Sequence, residues 1–324
     1  IHKGMTSSKA SYSSIHKGRK GKTSDKWDLY LSVYDRLPRL KSDRSEIVNI
    51  LEIGVQNGGS LETWADLMPS AKKIVGCDVD PNCQKLAFKD DRVKIIISDS
   101  NSSEAEALIR DASADYDLII DDGSPTSRDI MGNFIRYFPL LSQGGIYIAE
   151  DLHCCYWQEF GGGLGAPGSG IEFFKLLIDC LNSNNWGRND VTSSAYVSKP
   201  ALEQGLDISE DLISSIASIQ FFDSLCIVQK MGYDQPARIS KRIVSGLSSE
   251  VESAVLSCNG ISISSPDQNC YNWNSPLSSQ EKIQFLEKEL ECISNSRSWR
   301  LAKQFRRAAT TVRSLMSPRG LAKD

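Results

Sequence analysis

Two acidic pairs stand directly behind apolar runs: Asp121-Asp122 in "IIDDGSP" and Glu150-Asp151 in "GGIYIAEDL". Short apolar runs that end in carboxylates deliver oxygen ligands to the carboxyl edge of an open α/β sheet. If the strands before Asp122 and Glu150 are neighbours, about 4.8 Å apart, then Asp122, Glu150 and Asp151 converge on one point. Carboxylates that close repel one another unless a cation lies between them. Hard oxygen ligands favour Mg²⁺, with the remaining octahedral positions left to water and substrate. Asp121 points the other way from its strand, toward a cofactor. Of three histidines, His2 and His16 fall in a basic N-terminal stretch, which leaves His153 as the imidazole near these acids. It is a candidate general base, and equally a candidate substrate contact.

A second constellation opens the same region. "LEIGVQNGGSL" (51–61) reads as a strand, a Gly-rich turn and a helix start. Gly54, Gly58 and Gly59 allow close backbone approach to a ligand, and Ser60 begins the helix. The spacing E-x-G-x-x-x-G-G is not the dinucleotide G-x-G-x-x-G, and Glu52 would repel a pyrophosphate. A cofactor with a cationic amino-acid end suits the turn better. Asp78 closes the second strand, where an acid accepts ribose hydroxyls, and Asp99 closes the third, near an adenine. Three acids at three successive strand ends favour S-adenosylmethionine over NAD.

The elements that must position these residues alternate regularly from Ile47 onward. Strands are expected over 47–55, 73–80, 92–100, 116–123 and 144–152, with helical patterns between them. Residues 216–230 read as two strands joined by a tight turn at Asp223-Ser224. The expected fold is α/β: a doubly wound, Rossmann-like sheet with an antiparallel last strand, plus a C-terminal helical extension. Ser124 is expected to cap the helix after the fourth strand, with Pro125 at its first position.

At this point the chain resembles a known family. "LEIGVQNGGSLETW", "VGCDVDP", "IIDDGS", "FPLLSQGGIYIAEDLH" and "YWQEFGGG" follow in order the motifs of the metal-dependent sugar O-methyltransferases of macrolide and bacterial polysaccharide pathways. "TSDKWDLYLSVYDRL" also resembles the family's lead-in, a T-D-K stretch and helix that cover the cofactor. The resemblance implies Asp122, Glu150 and Asp151 as metal ligands, S-adenosylmethionine and Mg²⁺ as cofactors, and a sugar or glycan acceptor. The family's motif continues D-D-G-S-H, the His being general base, and this chain has Pro125 there. His153 matches a position common in the family. The leading expectation is a sugar O-methyltransferase. A module that binds cofactor and metal but has lost catalysis with that His is the alternative, and a nicotinamide dehydrogenase is disfavoured by the Gly pattern and Glu52.

The 324 residues carry a net charge of −4 that hides a polarised layout. Residues 1–26 hold seven Lys/Arg against Asp25, and residues 297–324 hold eight against Asp324. Taking those fifteen basic and two acidic residues from totals of 37 and 41 leaves 22 against 39, a middle of −17. So acidic a body disfavours nucleic acid as partner. Nine cysteines without a C-x-x-C pair suggest a reducing, cytoplasmic setting. The expected organisation is a basic tail over 1–23, a catalytic domain over 24–232, a Ser/Asn-rich linker over 233–276 and a basic amphipathic helix over 277–324. That last helix, with "SRSWRLAKQFRR", suggests a homo-oligomer, a glycosyltransferase partner or peripheral contact with an anionic membrane.

Overall fold

The structure, a computed structural model, describes residues 11–37, 47–233, 238–248, 251, 253–262 and 265. Seven strands make one sheet: β1 (Asn49–Ile53), β2 (Lys73–Asp78), β3 (Val93–Ile97), β4 (Tyr116–Asp121), β5 (Leu141–Ala149), β6 (Ile216–Phe222) and β7 (Leu225–Lys230). Their order is β3-β2-β1-β4-β5-β7-β6. The first five are parallel, and β7 runs antiparallel to both β5 and β6.

The central strands are apolar on both faces, as strands covered on both sides must be. Alternation sorts their side chains into two cores. Leu51, Ile53, Ile119, Tyr147 and Ala149 belong to one, and Ile50, Leu118, Ile120, Ile146 and Ile148 to the other. The first core is closed by α4 (Ser103–Ala112), α5 (Ser127–Tyr137) and α6 (Gly170–Leu181). The second is closed by α1 (Tyr12–Gly18), α2 (Asp28–Tyr34) and α3 (Gly59–Leu67).

Helix α5 starts later than expected. Its N-cap is Thr126, whose hydroxyl accepts from the Asp129 amide at 3.2 Å, and Pro125 lies outside the helix. Ser124 instead donates its hydroxyl to the Asp129 carboxylate at 2.5 Å, and the cap falls to Thr126.

The expected boundary between tail and body at residue 24 is also corrected. Helix α1 is closed by a capping box between Ser11 and Ser14. Its Tyr12 is fully buried, with ring centroids 4.8 Å from Tyr34 and 4.5 Å from Trp64. Arg19 pairs with Glu62 of α3. One buried aromatic in seven residues is too short a pattern for periodicity to reveal, so the surrounding Lys and Ser read as a solvated tail. The helix expected over 277–324 lies outside the described residues. No helix among the described residues is long and apolar enough to cross a membrane.

Candidate functional site

Strand β1 ends at Ile53 and turns through Gly54, at φ +88°. Its amide donates to the Cys77 carbonyl at 2.8 Å, and a Cβ there would collide with the Asp122 carbonyl. Only glycine fits both conditions. Beyond the turn, a Cβ on Gly59 would run into the backbone of Lys22 and Thr23, and its amide donates to the Thr23 carbonyl at 3.1 Å. Gly59 thus seats the lead-in segment against α3. Asp78, at the end of β2, accepts amides from Val55 at 2.7 Å, Gln56 at 2.9 Å and Asp80 at 2.8 Å. Burial opposes its charge, but these three donors win and hold its pKa below the ordinary carboxylate range.

A cavity of about 880 Å³ opens along this edge. Gly54, Gly59, Ser60, Asp78 and Asp99 line one side, Asp122, Glu150 and Asp151 the other, and Thr23–Trp27 and Tyr30 a third. Asp99 also accepts the Asn101 amide at 2.9 Å. Glu52 and Gly58 stand behind this lining rather than in it. The volume suits a small-molecule site, typically about 300–1,000 Å³.

The carboxylates of β4 and β5 meet as the strand pairing requires. Asp121 pairs with Ala149, so Asp122 and Glu150 each sit one residue past the last paired position. Between them lies the ammonium of Lys26. Its Nζ is 2.5 Å from Asp122 Oδ2, 2.9 and 3.0 Å from the two Glu150 oxygens, and 3.8 Å from Glu52 Oε1. The Lys26 side chain is 2% exposed. Burial opposes its charge, yet Glu150, Asp122 and Glu52 outweigh it and raise the ammonium well above the usual lysine range. The Tyr34 hydroxyl donates to Glu150 from below. Glu150 is itself raised, first by burial, with Lys26 only partly offsetting it. Glu52 is fully buried, and no hydrogen bond reaches either of its oxygens. Burial pushes its pKa up to about 7 against the pull of Lys26 and of the nearby Ser60 hydroxyl.

Asp151 adopts φ +55°, a strained setting for a side-chain-bearing residue, and turns away from that ammonium. Its Oδ1 lies 3.0 Å from the Tyr30 hydroxyl and 3.3 Å from Trp27 Nε1, and its own amide donates to Tyr30 at 3.0 Å. Among the described residues no group of three or more His, Cys, Asp and Glu is arranged to hold a metal. The sequence thus brings Asp122 and Glu150 together, with Asp151 alongside. His153 sits outside the cavity lining, its Nδ1 2.5 Å from Ser224 Oγ and its ring between Trp27 and Trp157, at 6.0 and 5.1 Å.

Asp121 is a correction. It does not face the cofactor cavity but is buried on the opposite face, accepting from Asn133 Nδ2 at 2.9 Å and Tyr147 Oη at 3.0 Å. It shares its face with Ile119, two residues earlier. Lys26, Tyr30, Tyr34, Ser224 and Asp129 are the site residues that sequence reasoning missed. "TSDKW" marked the first of them only as part of a lead-in.

No protein-family model matches the chain. It is 30% identical over 176 residues to the mycinamicin VI 2''-O-methyltransferase of Micromonospora griseorubida, covering 51% of this chain and 43% of that one. It is 30% identical over 169 residues to the 8-demethyl-8-alpha-L-rhamnosyl tetracenomycin-C 2'-O-methyltransferase of Streptomyces olivaceus, covering 49% and 43%. A MycE methyltransferase of the mycinamycin biosynthetic pathway, solved with Mg and SAH, matches with a TM-score of 0.51 and 25% identity over 66% of this chain and 52% of its own. Over about half its length the chain is similar to sugar O-methyltransferases. Its sheet has the order and the reversed β7 of a class I, Rossmann-like methyltransferase. It spans less than half the length of the curated relatives it matches.

The residues present fit the two groups that this relationship implies. The Gly54–Gly59 turn and the Asp78 carboxylate form a cradle that Cβ atoms would fill. Asp122 and Glu150 are two hard-oxygen donors that already hold one cation, the Lys26 ammonium, and one or two carboxylates with water completing the shell are the usual donor set for Mg²⁺.

Proposed function

We propose that the chain is an S-adenosylmethionine- and Mg²⁺-dependent O-methyltransferase acting on a sugar hydroxyl. The observation that carries this reading is a single cavity with a glycine-and-acid cradle on one wall and a cation-holding carboxylate pair on the other. When bound, S-adenosylmethionine would supply the methyl group on its sulfonium, and Mg²⁺ would polarise and orient the acceptor hydroxyl. Asp78 would face the ribose from the cavity edge, its carboxylate held in place by three backbone amides, which leave about one of its four lone-pair sites for a hydroxyl. Asp122, Glu150 and Asp151 would hold the metal, with Tyr34 fixing the Glu150 carboxylate and Tyr30 that of Asp151.

The acceptor is a sugar because one relative's name specifies a rhamnosyl group, and because Trp27 and Trp157 stand exposed beside Asp151 and His153. Aromatic faces pack against the apolar faces of sugar rings while carboxylates take their hydroxyls. The narrower setting in polysaccharide assembly, with a glycosyltransferase or membrane partner, rests on the C-terminal segment, which is not part of the described structure.

The second reading, a module that binds cofactor and metal without catalysis, is favoured by Pro125 where the family has its base and by the engagement of His153 with Ser224. Transfer of labelled methyl from S-adenosylmethionine to a panel of glycosides, with calorimetry of S-adenosylhomocysteine, tests both. Binding with transfer supports the enzyme, and binding without transfer supports the module. If S-adenosylhomocysteine does not bind at all, both readings fall.

A further inference from the structure

A magnesium ion held by carboxylates lies about 2.0–2.1 Å from their oxygens. An ion on Asp122 and Glu150 would therefore have to sit between the oxygens that already hold the Lys26 ammonium at 2.5, 2.9 and 3.0 Å. Two cations cannot share that gap: it has no room, and their repulsion is strong where solvent is excluded. Lys26 is not a surface residue that strayed inward, since its side chain is 2% exposed.

The segment that carries it makes contacts on both sides. Before it, Thr23 accepts the Gly59 amide, the Lys22 amide donates to Glu62 at 3.0 Å, and Arg19 pairs with Glu62. After it, Trp27 Nε1 reaches Asp151 at 3.3 Å. The segment that carries Lys26 also forms the third wall of the cavity, through Thr23, Ser24, Asp25 and Trp27. Lys26 itself borders that cavity, and its ammonium is the contact that ties the segment to Asp122 and Glu150, so displacing it from them loosens the segment's hold.

We propose that Lys26 and the divalent ion are alternative occupants of the Asp122–Glu150 pair. Lys26 latches residues 19–27 over the cofactor cavity while the metal is absent, and metal uptake unlatches them. The ammonium answers a need that the metal-free site has: Asp122, Glu150 and Glu52 all lie within 3.8 Å of it, and without a cation their charges would repel one another. The inference rests on the metal-dependent reading of these carboxylates, and it gives Lys26 a definite job, that of setting metal affinity.

The test is titration of Mg²⁺ by calorimetry, and of Mn²⁺ by electron paramagnetic resonance, into the full chain and into Lys26→Met. Removing the competitor should tighten metal binding by tenfold or more. Unchanged or weaker binding in Lys26→Met overturns the proposal. Because that variant leaves carboxylates unpaired and could fold poorly, a second measurement uses the unmodified chain. Hydrogen exchange of residues 19–27 should speed up several-fold when Mg²⁺ is added, and equal or slower exchange likewise overturns it. Neither measurement needs S-adenosylmethionine or an acceptor. A chain that binds S-adenosylhomocysteine and transfers methyl, but shows no competition at Lys26, keeps the methyltransferase reading and loses this one.

Discussion

At the ends of β1 and β2 an acid is met by the backbone, whereas at the ends of β4 and β5 acids are met by a side chain from far along the sequence. Asp78 takes three amides from residues no more than 23 positions away. Asp122 and Glu150 take one ammonium from 96 and 124 positions away. Backbone donors come with the turn and cost no rotamer freedom. A lysine must be ordered for the purpose, at up to about 2 kcal/mol of side-chain entropy. The first wall is therefore ready for its ligand as folded, and the second is held by a substitute that a ligand can replace.

The largest effect should come from the second wall. Glu150→Ala removes the acid that holds both oxygens against Lys26, and methyl transfer should fall on the order of 10³-fold, the upper range for losing one preorganised electrostatic group. S-adenosylhomocysteine affinity should stay nearly unchanged, and a parallel loss would erase the distinction between the walls. Asp78→Ala strikes the first wall. Calorimetry should show S-adenosylhomocysteine binding weakened by about 1.5–3 kcal/mol, as for a hydrogen bond to a charged group. Metal affinity should hold.

Glu52 lies between the two walls and gives a smaller, pH-dependent effect. Its folded pKa of about 7 is above the ordinary 4.5, so the folded protein binds that proton more tightly than the unfolded chain does. Its contribution to stability therefore declines as pH rises from about 4.5 to about 7. Glu52→Gln escapes that decline, so its Tm relative to the parent should climb between pH 5 and pH 8. A constant difference across that range would mean that Glu52 is ionised throughout. The smallest effect is expected from Pro125→His. Residue 125 precedes the Thr126 cap and is outside the cavity lining, so the helix start should tolerate the change. A restored base could contribute as much as 10²–10⁴-fold, but from this position the gain in rate near neutral pH should stay within about tenfold. A larger gain would show that the second wall had lacked a proton acceptor within reach.

Much of this was legible because it is local. Apolar runs such as "VKIII" and "YDLII" announce buried strands, and "GVQNGGS" announces a turn whose glycines the geometry needs. The convergence of Asp122 and Glu150 follows from two strands being neighbours. The facing of Asp121 did not follow, because in a sheet covered on both sides either face of a strand is apolar. Ile119 with Asp121 and Ile120 with Asp122 are equivalent until the helices are placed. Lys26 was hidden for a different reason. One lysine among seven basic residues in the first 26 carries no signal of burial, and its partners are recognised only in three dimensions. Tyr12 and Tyr34 were hidden likewise, since their packing on Trp64 joins segments that sequence separates.

The reversed strand β7 has a consequence for what the outer part of the sheet can do. Parallel strands bring only their ends to the working edge, each followed by a loop that must climb into a helix. Because β7 runs the other way, it brings a hairpin tip there instead, and that tip is Ser224 at φ +64°. Its carbonyl accepts the Leu152 amide at 3.0 Å, and its hydroxyl lies 2.8 Å from Tyr30 Oη and 2.5 Å from His153 Nδ1. One rigid two-residue turn thus fastens the chain just past Glu150 and Asp151 to helix α2 of the lead-in. The hairpin works as a buttress whose length sets the height of the acidic wall, and an insertion of even one residue at Asp223-Ser224 would shift that wall without touching any residue that holds a ligand.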